Sequence, residues 1–447
     1  MSLNSLFADL AQRLRSAEFL LHAVHPDHPT AFTRQRKLPL PALVALLLSG
    51  MRKSVQGELD EFFAHLSQRA QLVRKVSEQA FAQARAKLSL TAIPLLNDWV
   101  IERAEYYGFV SRWNGLRLVA ADASTVRFGL RASHIKRAAL ADQILFGLFL
   151  PGPELMLATS LHSIHENERQ MLFEHLYRLS STDLLLLDRG YPGRWLVAAL
   201  NQRAIAFCMR VEKSANAGFA CVRDFQRSAL LEQVVTLSAA DGRDVQDFGC
   251  PSEPQTVRLV RHIAPNGQVR VLMTNLLDAT RFPACSFGDL YHQRWRIEEA
   301  FKRLKHRLCL EHVSGLSQQA VAQDVAAKML CDNLQALTSL SARDKADLPE
   351  SVRINRAYVH TALKPLLPAL LLGKNVAALL RNVLRLVARH TYAHRENLSK
   401  PRKPRPKPHK YLTQNAATTP SLRGSAAPWY RPSVWRTMAP AWPMVSL

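Results

Sequence analysis

The chain has 447 residues, 48% of them hydrophobic and 21% charged, which suits a soluble globular protein of two or three domains. Its 59 Lys and Arg against 36 Asp and Glu leave a formal charge of +23, a self-repelling surplus that suggests a polyanionic partner such as nucleic acid. No apolar run approaches the roughly 20 residues of a membrane span, which argues against a membrane role.

The start, MSLNSLFADLAQRLR, lacks the basic stretch and apolar core of a secretory signal. The cysteines (Cys208, Cys221, Cys250, Cys285, Cys309, Cys331) stand singly with no CxxC pair. That argues against a disulfide framework or zinc site and points to a reducing cytoplasm.

In chain order, residues 1–108 read as helices. Leu38–Leu48 and Leu59–Leu66 carry apolar residues at mixed three and four spacing, and Val76–Leu90 is rich in helix formers. Arg34, Arg36, Lys37, Arg52, Lys53, Arg74, Lys75, Arg85 and Lys87 punctuate the region. Two readings stay open, a DNA-binding helical domain and an ordinary solvated helical face. The character changes at Leu116. LRLVAADASTVRFG reads as a strand leading to Asp122 and then a small polar turn, with Ser124 and Thr125 as caps. ELMLATSLHSI (154–164) is a second strand, and NERQMLFEHLYRL (167–179) has helical spacing. DLLLLDRGYPG (183–193) is read as a fully buried strand, because the leucine run is short, ends in an acid and is closed by Gly190 and Pro192.

Residues 204–276 are mostly β in pattern, with Pro265-Asn266-Gly267 as a hairpin cue. Helix returns at 287–310, 319–340 and 374–390. SKPRKPRPKPHK (399–410) alternates proline with base and is expected to be an extended arm, a basic linker or a DNA-tracking segment. No structure is expected beyond Tyr411.

Asp122 and Asp188 each end an apolar run. A carboxylate at the end of a buried strand is costly unless paired, capping a turn, or bound to a metal, and those alternatives stay open for each acid alone. The segment YHQRWRIEEAFKRLK (291–305) supplies a third. At about 100° per residue, Tyr291, Arg294, Glu298 and Lys305 fall within roughly 60° of arc, bordering the apolar side of Ile297, Ala300, Phe301, Leu304 and Leu308. Glu299 falls on the wet side. For the helix alone, Arg294–Glu298 also reads as an exposed i,i+4 pair.

These residues reproduce the pattern Y-(2)-R-(3)-E-(6)-K, which resembles the signature of insertion-sequence transposases of family four, a DDE class. ADAST (121–125) is similar to the segment around that family's first aspartate, LLLLDRGY (184–191) to the second, and VLMTNLLD (271–278) to the strand before the third motif. FTRQRKLPL and KSVQGELDEFF resemble its helical domain, so the likeness covers roughly residues 30–340.

The resemblance implies an α/β fold: an RNase H-like mixed-sheet core with a β-rich insertion, an N-terminal helical domain and a C-terminal helical region. The expected organisation is 1–108 helical and DNA-binding, 109–345 catalytic core with the insertion at about 204–286, 346–396 helical, and 397–447 arm and tail. It also implies a catalytic, metal-binding triad of Asp122, Asp188 and Glu298. Two Mg²⁺ or Mn²⁺ ions are expected, because carboxylate oxygens suit these hard cations and leave positions for water and phosphate. Tyr291, Arg294, Lys305 and Arg189 are the expected DNA contacts; for Arg189 a structural role stays open. The partners implied are double-stranded DNA, both the element's terminal inverted repeats and the target, and a second copy of the chain in a homodimeric DNA complex.

The activity implied is cut-and-paste transposition, by end cleavage and 3′-OH strand transfer. The alternatives are a DDE-type metal nuclease without strand transfer and an inactive DNA-binding derivative. Some members of the family flip a base onto a tryptophan of the insertion. Here the tryptophans between the second acid and Glu298 are Trp195 and Trp295, with Phe219, Phe225 and Met273 as other stacking candidates.

Overall fold

The computed structural model describes residues 3–34, 36–129, 138–211, 219–264 and 267–393. The Pro265–Asn266 part of the hairpin cue, the basic arm and the tail lie outside them.

Six helices open the chain: α1 (Leu3–Arg13), α2 (Ala17–Ala23), α3 (Leu40–Leu48), α4 (Val55–Leu66), α5 (Glu78–Arg85) and α6 (Ala92–Tyr106). Ser16, Ser54 and Ser77 start α2, α4 and α5 by accepting hydrogen bonds from the amides of Phe19, Gly57 and Ala80, donors that the first turn of a helix cannot satisfy itself. α3 is apolar on nearly every side and is buried accordingly.

A nine-stranded sheet follows. The short β1 (Arg112–Trp113) pairs with β2 (Leu116–Arg127). β2, β3 (Asp142–Leu150) and β4 (Leu155–His162) form an antiparallel meander. β5 (Asp183–Leu187) and β6 (Ala206–Arg210) then run parallel to β2, reached through α7 (Glu168–Phe173) and α8 (Arg194–Gln202), as parallel strands require. The strand order β4-β3-β2-β5-β6 is the RNase H-like arrangement. The sheet continues through three more strands in the order β9 (Val269–Thr274), β8 (Gln255–Ile263) and β7 (Glu232–Leu237). Between β6 and β9 lie also α9 (Ala220–Arg227) and α10 (Gly242–Phe248).

Three details differ from the reading of the sequence. β2 does not turn after Asp122 but runs five residues further, to Arg127, because Ser124 and Thr125 pair with Leu145 and Ile144 of β3. β6, which the pattern groups with the insertion, belongs to the parallel core; alternation in a short strand does not reveal its partner. The helix expected over 287–310 is divided into α11 (Phe287–His292), a 3-10 turn (Gln293–Trp295) and α12 (Arg296–His306).

α11 and α12 cover one face of the sheet, where Ala120, Leu184, Leu186 and Cys208 meet Tyr291, Ile297, Ala300, Phe301 and Leu304. The opposite face, carrying Val119, Ala121, Leu185 and Leu187, shares a core with α7, α8 and the N-terminal helices. α13 (Gln318–Lys345) spans 28 residues and is buried along most of its length between the sheet and helices α3, α6, α14 (Arg356–Leu363) and the later helix Ala377–Arg389. Asp332, in its middle and fully buried, accepts hydrogen bonds from Arg303 of α12 at 2.8 Å and Arg356 of α14 at 3.0 Å. Burial pushes the Asp332 carboxyl up, but the two guanidiniums outweigh it and hold it below its ordinary range. This network locks α12 in place. No helix among the described residues is long and apolar enough to cross a membrane.

Candidate active site

β2 and β5 are aligned so that Ala120 lies opposite Leu186. Continuing that parallel register by two residues sets Asp188 beside Asp122, on adjacent strands and on the face covered by α12. α12 lies close here because Gly147 is the β3 partner of Asp122. A Cβ at Gly147 would stand 2.7 Å from Met156 Cε and 3.2 Å from Phe301 Cζ, so a side chain there would push Phe301 and its helix outward.

Arg294 joins the third acid to the first. Its guanidinium donates to Glu298 at 2.9 Å and lies 3.5 Å from Asp122. Glu299 instead points to solvent and pairs with Lys302. Burial drives the Asp122 carboxyl up to about 7; Arg294 and the Ala123 amide oppose this, and the charges of Glu298 and Asp188 add to it. The three candidate acids are thus one electrostatic cluster on one face of the sheet.

Hard oxygen donors suit Mg²⁺ or Mn²⁺, and two local features fit such an ion. The Gly190 amide donates to Asp188 Oδ1 at 2.6 Å, and the missing side chain leaves a cradle: a Cβ there would lie 3.0 Å from that oxygen and 3.9 Å from Glu168 Oε2. The Tyr191 hydroxyl is buried without a hydrogen-bond partner, and the charges that act on it include Glu168, Asp122 and Asp188.

The triad is more open than a finished metal site. Among the described residues, the group of three metal-ligand side chains with all ligand atoms within 4.8 Å of one another is His162, Glu166 and Glu174. It lies elsewhere: His162 packs toward His175, which rests on Phe146 in the core of the opposite face.

The expected DNA contacts divide. Arg189 is exposed beside Asp188. Lys305 donates to Ser124 Oγ at 2.7 Å and to the Thr125 carbonyl at 2.5 Å, so it fastens α12 to β2. Arg294, 6% exposed, is held by acids. Tyr291 is only 2% exposed and offers no surface for a base. The 3-10 turn explains this: its tighter period rotates Tyr291 by roughly 60° relative to Glu298, toward the apolar side. Phe219, Phe225 and Met273 are buried as well, and Trp195 is buried and stacked on Phe248, whereas Trp295 is exposed. In the N-terminal helices Arg85 is buried against Asp324 at 3.0 Å and Arg74 pairs with Asp60 at 2.8 Å. Arg34, Arg36, Lys37 and Lys75 stay exposed.

The sequence did not single out Glu168 or Tyr191. Glu168 reads as an ordinary first-turn helix acid, since Asp188, its neighbour in space, lies 20 residues on.

Residues 114–334 match the family described as Transposase DDE domain. With the RNase H-like strand order, this makes residues 114–334 similar to the DDE domain of DNA transposases, a domain class that uses divalent metal ions. More narrowly, the chain is similar to an insertion-sequence transposase. It is 23% identical over 318 residues to the transposase InsG for insertion sequence element IS4 of Escherichia coli (strain K12), covering 68% of this chain and 71% of that protein. Among solved structures it is similar to the piggyBac transposase synaptic complex with hairpin DNA, with TM-score 0.39 and 11% identity over 86% of this chain and 84% of that one. The fold assignment rests on the strand order.

Proposed function

We propose that this transposase moves its element by cut-and-paste, nicking DNA at the terminal inverted repeats and joining the freed 3′-OH to target DNA, with Asp122, Asp188 and Glu298 holding two Mg²⁺ or Mn²⁺ ions. The observation that carries the proposal is the guanidinium of Arg294 touching both Asp122 and Glu298, on the face where the β2–β5 register sets Asp188 beside Asp122. The chemistry two such ions supply when bound is activation of the attacking oxygen and neutralisation of the leaving 3′ oxygen.

The protein's own residues set up that step. Arg294 shields the acids from one another, and Lys305 fixes α12, and with it Glu298, against β2. Arg189, exposed beside the site, meets the DNA backbone. Residues 1–108 bind the element's end through exposed bases such as Arg34, Arg36 and Lys37. The core spans 109–345, and 346–396 support α13. Two copies bring the two ends together as a homodimer, in the bacterial cytoplasm on nucleoid DNA.

The test is labelled terminal-repeat DNA incubated with a target plasmid and Mg²⁺. Joined product that is absent with Asp122→Ala supports the proposal. Cleavage without joining supports a nuclease instead.

A further inference from the structure

The triad leaves an acid at its rim unassigned. Glu168 opens α7, and its position relative to Asp188 is fixed: the next residue, Arg169, donates from Nε to the Gly190 carbonyl at 3.0 Å. Glu168 Oε2 and Asp188 Oδ1 flank the same open point, where a Cβ on Gly190 would stand 3.9 Å from one and 3.0 Å from the other. An ion with oxygen bonds of about 2.1 Å places its ligand oxygens about 3 to 4 Å apart.

A cap for α7 does not explain this acid. Asn167 already accepts the Arg169 amide at 2.9 Å, and the charge felt by Glu168 is that of another carboxylate, Asp188. The Tyr191 hydroxyl, fully buried and unpartnered, feels the charge of both. Among the charges acting on it, Glu168 weighs more than Asp122 or Asp188. Two carboxylates facing one open point at a glycine, with an orphaned buried hydroxyl in the field of both, are arranged for a cation.

We propose that Glu168 is a fourth carboxylate of the metal centre, sharing with Asp188 the ion held over Gly190. The inference rests on the reading of Asp188 as a metal ligand. Glu168 thereby biases the centre toward small hard divalent cations, and the Tyr191 hydroxyl donates to whichever of the carboxylates turns toward the ion.

The test is Mn²⁺ titration of the full-length protein without DNA, read by electron paramagnetic resonance and calorimetry. Glu168→Gln keeps the shape and removes the charge; it is expected to weaken one Mn²⁺ site about tenfold or more, while Glu168→Asp weakens it less. The circular dichroism spectrum of each variant in EDTA is expected to match that of the unmodified chain. Asp188→Asn is the reference. If Asp188→Asn weakens Mn²⁺ binding and Glu168→Gln binds like the unmodified chain, this inference is overturned and the triad stands. If Asp188→Asn leaves binding unchanged, the triad reading fails.

Discussion

Replacing Arg294 by alanine removes the guanidinium that lies 2.9 Å from Glu298 and 3.5 Å from Asp122. Breaking a buried ion pair costs about 3–5 kcal/mol, while an exposed pair contributes at most about 1 kcal/mol. The side chains of Arg294 and Asp122 are 7% and 17% exposed, but that of Glu298 is 42% exposed, so screening discounts its share. The expected loss without metal is about 2–3 kcal/mol. Removing the cation also sends the Asp122 carboxyl above its value of about 7, since Arg294 is the largest influence holding it down. A divalent ion on the same carboxylates supplies the missing positive charge, so saturating Mn²⁺ should shrink the loss to about 1 kcal/mol or less. Urea unfolding of both proteins in EDTA and in Mn²⁺ measures the two losses. Equal losses in the two conditions would refute the idea that Arg294 and the metal neutralise the same acids.

Asp332→Ala strands Arg303 and Arg356 in the interior and should cost about 3–5 kcal/mol in urea unfolding; a loss below about 1 kcal/mol would show that α12 is not held by this network. Burial pushes both His175 and His360 down to about 4 from the ordinary 6.5, so between those values the unfolded chain binds more protons than the fold. Stability should therefore be lost as pH falls from 6.5 to 4, by up to about 3 kcal/mol for each histidine. His360→Gln should flatten part of that slope in unfolding midpoints taken across the window, and an unchanged slope would count against it. Gly190→Ala places a Cβ 3.0 Å from Asp188 Oδ1 and should lower Mn²⁺ affinity with little change in the unfolding midpoint; unaltered affinity would mean the cradle holds no ion.

The fold class was legible in the sequence, and so were the strand that leads to Asp188 and the helix that carries Glu298. Asp188 was legible because a short leucine run closed by Gly190 and Pro192 has little choice but a buried strand. Glu298 was separated from Glu299 by helical phase, which α12 retains. Tyr291 was misplaced by the same argument, since a single 3-10 turn changes the phase and nothing in QRW announces one. β2 was read as ending too early because Ser and Thr suit turns and strands alike, and pairing with β3 decides between them. Glu168 was invisible, because it is brought to Asp188 only by the folding of α7 against the loop after β5. Arg294 looked like a phosphate contact from its charge; its burial between acids is a tertiary fact.

The central claim is that Asp122, Asp188 and Glu298 act together as the metal-holding acids of DNA cleavage. The most direct measurement is Mg²⁺- and Mn²⁺-dependent cleavage of terminal-repeat DNA by the single alanine variants, alongside Glu299→Ala. The account predicts that each of the three variants abolishes cleavage while still binding the DNA, and that Glu299→Ala cleaves normally. Normal cleavage by any of the three would contradict it.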